Sequence, residues 1–294
     1  MIRLRVSQQG VVVRGDNLPI LKSLADGQFD LIYIDPPFNT GKKQSRTALR
    51  TTRDENGDRI GFQGRRYLTK KGTTQAFDDR FNDYLGFLEP RLAEAKRLLS
   101  WQGTLYLHVD YREAHYCKIL LDGIFGRENF LNEIIWAYDY GGRSKRKWPA
   151  KHDTILVYVT DPATHIFNYE DIERIPYMAP GLVGEAKAAR GKVPTDTWWH
   201  TIVSPTGKEK TGYPTQKPLG VLNRIVQASS NPDSRVLDFF AGSGTTGVAA
   251  ANLGRKFFLV DSSPDALQIM KSRLPEGTLY YEEATWLNQK RSGK

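Results

Sequence analysis

The sequence lacks several features that mark particular classes of protein. One cysteine, Cys117, stands among 294 residues, which excludes an internal disulfide and a multi-cysteine metal site. No apolar run approaches the roughly 18 residues that a membrane helix needs, so we expect no membrane association. The first residues also lack the apolar stretch of a signal peptide. We therefore expect a cytoplasmic protein with no bound metal.

Positive charge is concentrated in two stretches of the chain. The net charge is +9, of which residues 42–71 carry +7 and residues 143–151 carry +5. The rest of the chain is therefore slightly acidic. Local basic patches on such a body favour a polyanionic partner, although two solvated loops would show the same charges.

Apolar periodicity predicts strands and helices that alternate along the chain. The predicted strands are residues 11–13, 29–34, 103–109, 154–160, 235–240 and 256–260. The predicted helices are residues 17–24, 82–100, 112–125, 218–229 and 245–253. Residues 140–215, rich in Gly, Pro, Lys, Arg and Trp, interrupt this alternation. The pattern predicts an α/β protein with a doubly wound, mostly parallel sheet.

A glycine-rich loop, Ala241–Gly247, follows the strand at residues 235–240 and precedes a predicted helix. Glycines at the carboxyl edge of a sheet let the backbone approach a ligand closely. Asp261 ends the next strand, where its carboxylate could accept hydrogen bonds from ribose hydroxyls. The spacing fits both NAD and S-adenosylmethionine. Asp238 favours S-adenosylmethionine, because a carboxylate there could pair with an α-ammonium and would repel a pyrophosphate.

A second motif, Asp35–Gly41 with the sequence DPPFNTG, ends the strand at residues 29–34. The two prolines stiffen the turn and remove backbone donors, so the turn presents two acceptors, the Asp35 carboxylate and the Pro36 carbonyl. An aromatic amine is a poor nucleophile, because its lone pair is delocalised into the ring. Two acceptors on its hydrogens would favour a more tetrahedral nitrogen. Phe38 would offer a stacking face for a base that has left the double helix.

Together the motifs resemble those of the amino-methylating DNA methyltransferases, which carry a (D/N/S)PP(Y/F/W) catalytic loop and an FxGxG cofactor loop. Here these are Asp35–Phe38 and Phe240–Gly244. The catalytic motif comes first and a variable region separates the two, which is the order of the permuted β class. The resemblance covers residues 11–285 and implies a Rossmann-like fold dependent on S-adenosylmethionine.

The resemblance also implies which residues contact the cofactor. Tyr213–Pro218, YPTQKP, is similar to the family's cofactor-proximal motif, and Gly15-Asp16 to the element near the cofactor's adenine end. The cofactor residues implied are Asp16, Lys217, Asp238, Phe240, Gly242, Ser243, Gly244, Thr245 and Asp261. Asp261 departs from the glutamate often found at that position.

The implied reaction is methylation of N6 of adenine in a flipped-out base of double-stranded DNA. The catalytic residues implied are Asp35, Pro36, Pro37 and Phe38. Members that methylate cytosine N4 usually carry serine in place of Asp35, which favours adenine and leaves N4-cytosine as the alternative. Methylation at C5 of cytosine is disfavoured, because it needs a cysteine nucleophile and the chain has no Pro-Cys pair.

The resemblance divides the chain into three parts. Residues 1–139 form the catalytic half, residues 140–212 an inserted target-recognition region, and residues 213–294 the cofactor-binding half of the same domain. Flexible glycines, cations and an aromatic suit phosphate contacts and insertion near bases. The DNA contacts expected on this basis are Arg143, Lys145, Arg146, Lys147 and Trp148. We expect residues 42–71 to be a mobile loop that closes over DNA, or a dimerisation arm.

Two other classes of protein share part of this pattern. An NAD-dependent oxidoreductase would explain the glycine loop and Asp261 but would leave Asp35–Phe38 unused. A non-catalytic DNA-binding protein on the same fold would not need both motifs intact. The resemblance also allows a separately encoded restriction endonuclease as partner and a homodimer as the assembly.

Overall fold

The structure is a computed structural model that describes residues 1–5, 7–39, 81–204 and 207–292, together with strands within residues 42–79. For residues 42–53, 59–60, 66–79 and 290–292 it describes the backbone alone. The chain divides into two compact units. The larger comprises Met1–Pro36 and Asp83–Lys294, and the smaller is Pro37–Asn82. Residues 140–212 therefore lie within the larger unit.

The six predicted strands and five predicted helices all occur, and the described residues contain six further strands and three further α-helices. The strands are β1 (Gly10–Arg14), β2 (Phe29–Ile34), β3 (Lys42–Arg53), β4 (Arg59–Ile60), β5 (Arg66–Asp79), β6 (Leu99–Asp110), β7 (Phe130–Ala137), β8 (His152–Val159), β9 (Thr197–Trp199), β10 (Arg235–Asp238), β11 (Lys256–Asp261) and β12 (Leu279–Glu282). The helices are α1 (Asn17–Ser23), α2 (Tyr84–Leu98), α3 (Ala114–Phe125), α4 (Glu185–Arg190), α5 (Leu219–Ser229), α6 (Thr245–Asn252), α7 (Pro264–Arg273) and α8 (Glu283–Ser292).

The larger unit is built on a nine-stranded sheet in the order β12-β1-β11-β10-β2-β6-β8-β7-β9. β8 runs antiparallel to β6 and β7, and the other neighbouring pairs of this sheet are parallel. The predicted α/β fold with a mostly parallel sheet is thus confirmed. Because β1, β11, β10 and β2 are parallel neighbours, the residues that follow them meet at one edge of the sheet.

Alternating side chains bury both faces of this sheet. Leu31 and Tyr33 of β2 join a core with α5, α6 and α7 that includes Val221, Ala249 and Met270. Ile32 and Ile34 are fully buried too, and alternation along a strand directs them to the opposite face. α1, α2, α3 and α8 pack against one another and against β1, β6 and β8. A sheet buried on both faces explains why its strands read as continuous apolar runs.

The smaller unit contains an antiparallel sheet in the order β3-β5-β4. β3 and β5 pair from Lys42 with Asp79 to Arg53 with Tyr67. The expectation of a loop over residues 42–71 was therefore wrong for the backbone of these strands. Basic residues dominate the composition of this stretch, but it also holds β-branched threonines, three in β3 and three in β5, which favour extended backbone.

No helix among the described residues is long and apolar enough to cross a membrane. The described residues also contain no group of three or more His, Cys, Asp or Glu side chains that could hold a metal ion. Cys117 is buried in α3, and burial raises the pKa of its thiol to about 12. A protonated thiol of this kind is a poor nucleophile.

Candidate active site

The carboxylate of Asp35 follows β2 and is paired with the ammonium of Lys217. Lys217 Nζ lies 2.8 Å from Asp35 Oδ2, and the two side chains are only 11% and 15% exposed. The other oxygen, Oδ1, is buried and has no hydrogen-bond partner among the described residues. A buried acceptor without a donor costs free energy. Asp35 therefore combines an anchored oxygen with one that an N–H donor would stabilise.

A chain of buried polar side chains runs across the sheet beside this pair. Tyr33, two residues before Asp35, shares a 2.8 Å hydrogen bond with Nδ1 of the fully buried His108. His108 Nε2 lies 3.3 Å from Asp153 Oδ2. Burial would raise the pKa of Asp153, but His108, Lys217 and Tyr138 outweigh it and lower that pKa. Asp153 is thus a second carboxylate, besides Asp35, that interacts electrostatically with Lys217.

The glycine loop is held by the carboxylate of Asp261. Its Oδ2 accepts from the Gly242 backbone N–H at 2.7 Å, and its Oδ1 accepts from the Ser263 N–H at 2.8 Å. Gly242 and Gly244 have φ of 50° and 74°, in the left-handed region that favours glycine. A Cβ on Gly242 would lie 3.1 Å from Cε1 of the Tyr213 ring. The loop therefore needs glycine for its backbone and for its closeness to Tyr213.

Asp238 lies at the base of the loop and is 2% exposed. Burial raises the pKa of its carboxyl to about 7, assisted by Asp35 and Asp261 and opposed by hydrogen bonds from Thr246 and Phe240. Thr246 Oγ1 donates to Oδ2 at 2.6 Å, and the Phe240 N–H donates to Oδ1 at 3.0 Å. Both oxygens thus support the loop itself. A cation nearby would favour the ionised form.

The remaining loop side chains contact a residue that the sequence analysis did not single out, Arg273 of α7. Ser243 and Thr245 hydroxyls lie 3.1 Å apart and are buried. Arg273 Nη1 donates to the Ser243 carbonyl at 2.6 Å and to Thr245 Oγ1 at 3.0 Å. Phe240 lies beside Phe87 of α2, with ring centroids 6.1 Å apart. The loop is therefore fixed by both neighbouring helices.

Asp16, expected near the cofactor's adenine end, caps α1 and is exposed. Its Oδ1 accepts from the Leu18 N–H at 3.1 Å and from Arg91 Nη2 at 3.1 Å. Its neighbour Asn17 donates to the Phe239 carbonyl at 2.8 Å. Gly15 N–H donates to the Asp261 carbonyl at 3.0 Å. The turn after β1 is thus hydrogen-bonded to Phe239, just before the glycine loop, and to Asp261, at the end of β11.

The DPPF motif spans the boundary between the two compact units. Asp35 and the buried Pro36 belong to the larger unit, whereas Pro37 and Phe38 belong to the smaller one. Within the smaller unit, the Phe81 N–H donates to Asn39 Oδ1 at 3.1 Å. Asn39 has a φ of 51°, which asparagine tolerates better than most residues. The motif therefore stands where the chain leaves the parallel sheet.

The residues expected to contact DNA occupy an exposed segment of the larger unit. Residues 141–148 are all exposed, and Trp148 is 95% exposed. Arg143 Nη2 lies 3.1 Å from Asp139 Oδ2. Lys151, by contrast, donates to the Tyr140 and Gly142 carbonyls at 2.7 and 2.8 Å. Lys151 therefore holds the base of this segment, and the structure leaves the DNA contacts themselves as a prediction.

Besides Arg273, sequence reasoning missed three side chains that support this edge of the sheet: Asn17, Arg91 and His108. Arg91 carried a signal, because it is a basic residue on the α2 face that Leu88, Leu92 and Ala95 bury. His108 is a polar residue in the apolar run of β6. A buried polar residue on an apolar face usually has specific partners. Those partners lie far along the chain, so the sequence could flag the residues but not their contacts.

Comparison with known proteins agrees with this architecture. The chain is 30% identical to the type II methyltransferase M.HpaI of Haemophilus parainfluenzae over 254 residues, which is 86% of this chain and 70% of that protein. It is 28% identical to the DNA adenine methyltransferase YhdJ of Escherichia coli K12, covering 96% of this chain and 88% of that one.

Solved structures share the fold at low sequence identity. The M1.HpyAVI complex with S-adenosylmethionine aligns with a TM-score of 0.57 and 22% identity, over 90% of this chain and 98% of that one. The cytosine-N4-specific PvuII DNA methyltransferase aligns with a TM-score of 0.64 and 14% identity, over 98% and 94%. A family model described as DNA methylase, for the N6 and N4 enzymes, matches residues 29–272. The chain belongs to this N6/N4 DNA methylase family.

Proposed function

We propose that this DNA methyltransferase transfers a methyl group from S-adenosylmethionine to N6 of adenine in double-stranded DNA. The observation that carries the proposal is the state of Asp35. Its Oδ2 is anchored by Lys217 and its Oδ1 is a buried acceptor with no donor among the described residues. An exocyclic amino group supplies such a donor, so binding it would satisfy Oδ1.

The residues around the glycine loop fit S-adenosylmethionine. Gly242 and Gly244 have positive φ, and a Cβ at either position would crowd Tyr213 or Met270, so glycine keeps this backbone bare at the end of β10, where a ligand can approach it. Asp238, whose pKa is raised to about 7, gains from a nearby cation. We propose that these residues, with Asp16, Lys217, Phe240, Ser243, Thr245 and Asp261, form the cofactor pocket. When bound, S-adenosylmethionine supplies an electrophilic methyl group on a positively charged sulfur.

The chain's own residues would hold and activate the base. Asp35 Oδ1 and the Pro36 carbonyl would accept the two amino hydrogens and so favour a nitrogen whose lone pair is available. Phe38 would stack on the extruded base, as the sequence implies. The amino nitrogen would bond to the methyl carbon while the methyl–sulfur bond breaks and leaves its electron pair on the sulfur, so the nitrogen would carry an extra proton. That proton would pass to Asp35 Oδ1 or to water, which restores a neutral amine.

Adenine is favoured over cytosine by the aspartate at position 35 and by similarity to a relative named as an adenine methyltransferase. The structural likeness to an N4-cytosine enzyme reflects the shared fold alone. An amino group of cytosine would meet the same two acceptors, so N4-cytosine is the alternative product. An NAD-dependent oxidoreductase would leave the Asp35–Lys217 pair without a role.

The test is methylation of unmethylated genomic DNA with isotopically labelled S-adenosylmethionine, followed by mass spectrometry of the nucleosides. Asp35→Asn keeps the shape of the side chain but removes its charge, and we expect a loss of about 10²–10⁴-fold in rate. Asp233→Asn is the matched control, because Asp233 is 82% exposed and has a φ of 66° that asparagine accepts.

Label in N6-methyladenine that is lost in Asp35→Asn alone is the expected result. Label in N4-methylcytosine would overturn the choice of base and keep the mechanism. No labelled nucleoside, from a folded protein that binds the methyl donor, would overturn the proposed reaction.

The relatives named as type II methyltransferases support a further proposal, that the protein modifies DNA beside a separately encoded restriction endonuclease. Its methylated sites would then be protected from that nuclease. A homodimer is also proposed, and light scattering on the free protein and on its DNA complex would detect it.

A further inference from the structure

Arg91 of α2 is a buried cation that donates two hydrogen bonds to the turn after β1 and one within its own helix. Its side chain is 11% exposed. Nε donates to Asn17 Oδ1 at 2.6 Å, Nη2 donates to Asp16 Oδ1 at 3.1 Å, and Nη1 donates to the Phe87 carbonyl at 2.8 Å. Burial lowers the pKa of Arg91 below its ordinary value, and Asp16 opposes that change. A guanidinium is therefore held here at some cost, by three separate acceptors.

Asn17 extends this contact to the glycine loop. While its Oδ1 accepts from Arg91, its Nδ2 donates to the Phe239 carbonyl at 2.8 Å. Phe239 directly precedes Phe240, the first residue of the cofactor motif. The Arg91 guanidinium also lies 3.9 Å from the centroid of the Phe87 ring, which neighbours the Phe240 ring. Arg91 thus reaches the loop by two routes, one polar and one aromatic.

We infer that Arg91 is a positioning residue for the cofactor, acting through Asp16 and Asn17 to fix the turn after β1 against the glycine loop. This inference rests on the proposed function, in which Asp16 and the loop bind S-adenosylmethionine. Those two elements come from opposite ends of the chain. Their relative position decides whether one ligand can contact both, and misplacement by about 1 Å weakens such a site.

Arg97 provides an internal comparison on the same helix. Its guanidinium donates to the Leu24 and Leu21 carbonyls at 3.0 and 2.9 Å and pairs with Glu94 and Asp26. Arg97 therefore holds α2 against the carboxyl end of α1, whereas Arg91 holds α2 against the amino end of α1. Both arginines hold α1, but only Arg91 contacts residues of the proposed cofactor site. A role in packing alone would make the two equivalent.

The experiment measures binding of S-adenosylmethionine by isothermal titration calorimetry, with thermal unfolding recorded for each variant. Arg91→Lys keeps the charge but cannot reach all three acceptors, and we expect binding about 10-fold weaker or more. In steady state, KM for S-adenosylmethionine should rise while kcat at saturation changes little. Arg97→Lys should lower the melting temperature by a similar amount and leave the affinity within about twofold of wild type.

Asn17→Ala removes the contact with Phe239 and supplies a second line of evidence. If Arg91 acts through Asn17, the double variant Arg91→Lys/Asn17→Ala should lose less affinity than the product of the two fold-losses measured in the single variants. If folded Arg91→Lys binds S-adenosylmethionine as tightly as wild type, the inference about Arg91 is overturned and the proposed function stands. An equal loss of affinity in Arg97→Lys would also overturn the inference. A wild-type protein that does not bind S-adenosylmethionine would overturn the proposed function along with the inference.

Discussion

At the scale of single residues, the charged side chains at the sheet edge differ in how they are stabilised. Asp35 is neutralised by Lys217, and Asp261 receives two backbone N–H donors. Asp238 accepts one hydrogen bond from the Thr246 hydroxyl and one from the Phe240 N–H, and burial raises its pKa to about 7. One carboxyl group in the site is therefore poised to change charge near neutral pH.

The raised pKa of Asp238 makes folding depend on pH. In the unfolded chain an aspartate titrates near 3.9, so between about pH 4 and pH 7 the folded state holds a proton that the unfolded state has lost. The stabilising contribution is complete below the unfolded pKa and is lost as the pH rises through the folded pKa. Stability from this group therefore falls towards neutral pH.

Asp238→Asn should remove this dependence. We expect the difference in unfolding free energy, wild type minus variant, to fall by roughly 2–3 kcal/mol between about pH 5 and about pH 8. Urea denaturation at several pH values measures it, and subtraction cancels the titration of the other groups. A difference that stays constant with pH would show that Asp238 is ionised throughout the range.

At the scale of elements, α6 is flanked by two glycines that have nearly the same positive φ and different surroundings. Gly244 precedes it with a φ of 74°, and Gly254 follows it with a φ of 73°. A Cβ on Gly244 would lie 2.6 Å from Met270 Cγ of α7, whereas one on Gly254 would meet nothing within 4 Å. A substitution at Gly254 therefore tests backbone strain alone, whereas one at Gly244 tests strain together with crowding against Met270.

Gly254→Ala should cost about 1 kcal/mol of unfolding free energy, because left-handed backbone is strained for alanine. Gly244→Ala should cost about 2–3 kcal/mol, since Met270 must also move. We further expect Gly244→Ala to weaken binding of S-adenosylmethionine and Gly254→Ala to leave it unchanged. Chemical denaturation and calorimetry give both quantities, and equal losses in the two variants would contradict the role assigned to Gly244.

Prediction from sequence worked best for elements with a clear apolar period. α2, α3 and α5 and strands β2 and β11 occur within a few residues of their predicted bounds, because their buried faces dominate the local pattern. β7 was missed, since the polar residues Asn132 and Glu133 interrupt its apolar run. β3 and β5 were missed because charge obscured their β-branched residues.

At the scale of the whole molecule, the excess positive charge should make DNA binding depend on salt. In the segment 141–148, Arg143, Lys145, Arg146 and Lys147 are exposed, while Lys151 is engaged with backbone carbonyls. Each phosphate neutralised adds about 0.9 to the slope of log K against log salt concentration. The number of phosphate contacts can therefore be counted from the slope.

Replacing those four cations with alanine should lower the slope by about 3–4 units, measured by fluorescence anisotropy of duplex DNA over a salt series. A matched variant replaces with alanine four cations that are exposed outside this segment, Arg5, Lys22, Arg127 and Lys271. Its slope should stay near the wild-type value. Trp148→Ala should weaken binding and keep the slope, because tryptophan carries no charge. Equal slopes in the two charge variants would place the DNA contacts outside residues 143–147.

The sequence by itself determined the class of fold, the position of both motifs at strand ends, and the family. These depend on local patterns, because buried strands, tight turns and glycine loops leave their mark within a few residues. Tertiary structure alone decided that Lys217 pairs with Asp35, that Asn17 contacts Phe239, and that residues 42–79 include strands. Such contacts join residues far apart along the chain. Strand order and helix packing bring them together, and local propensity does not encode either.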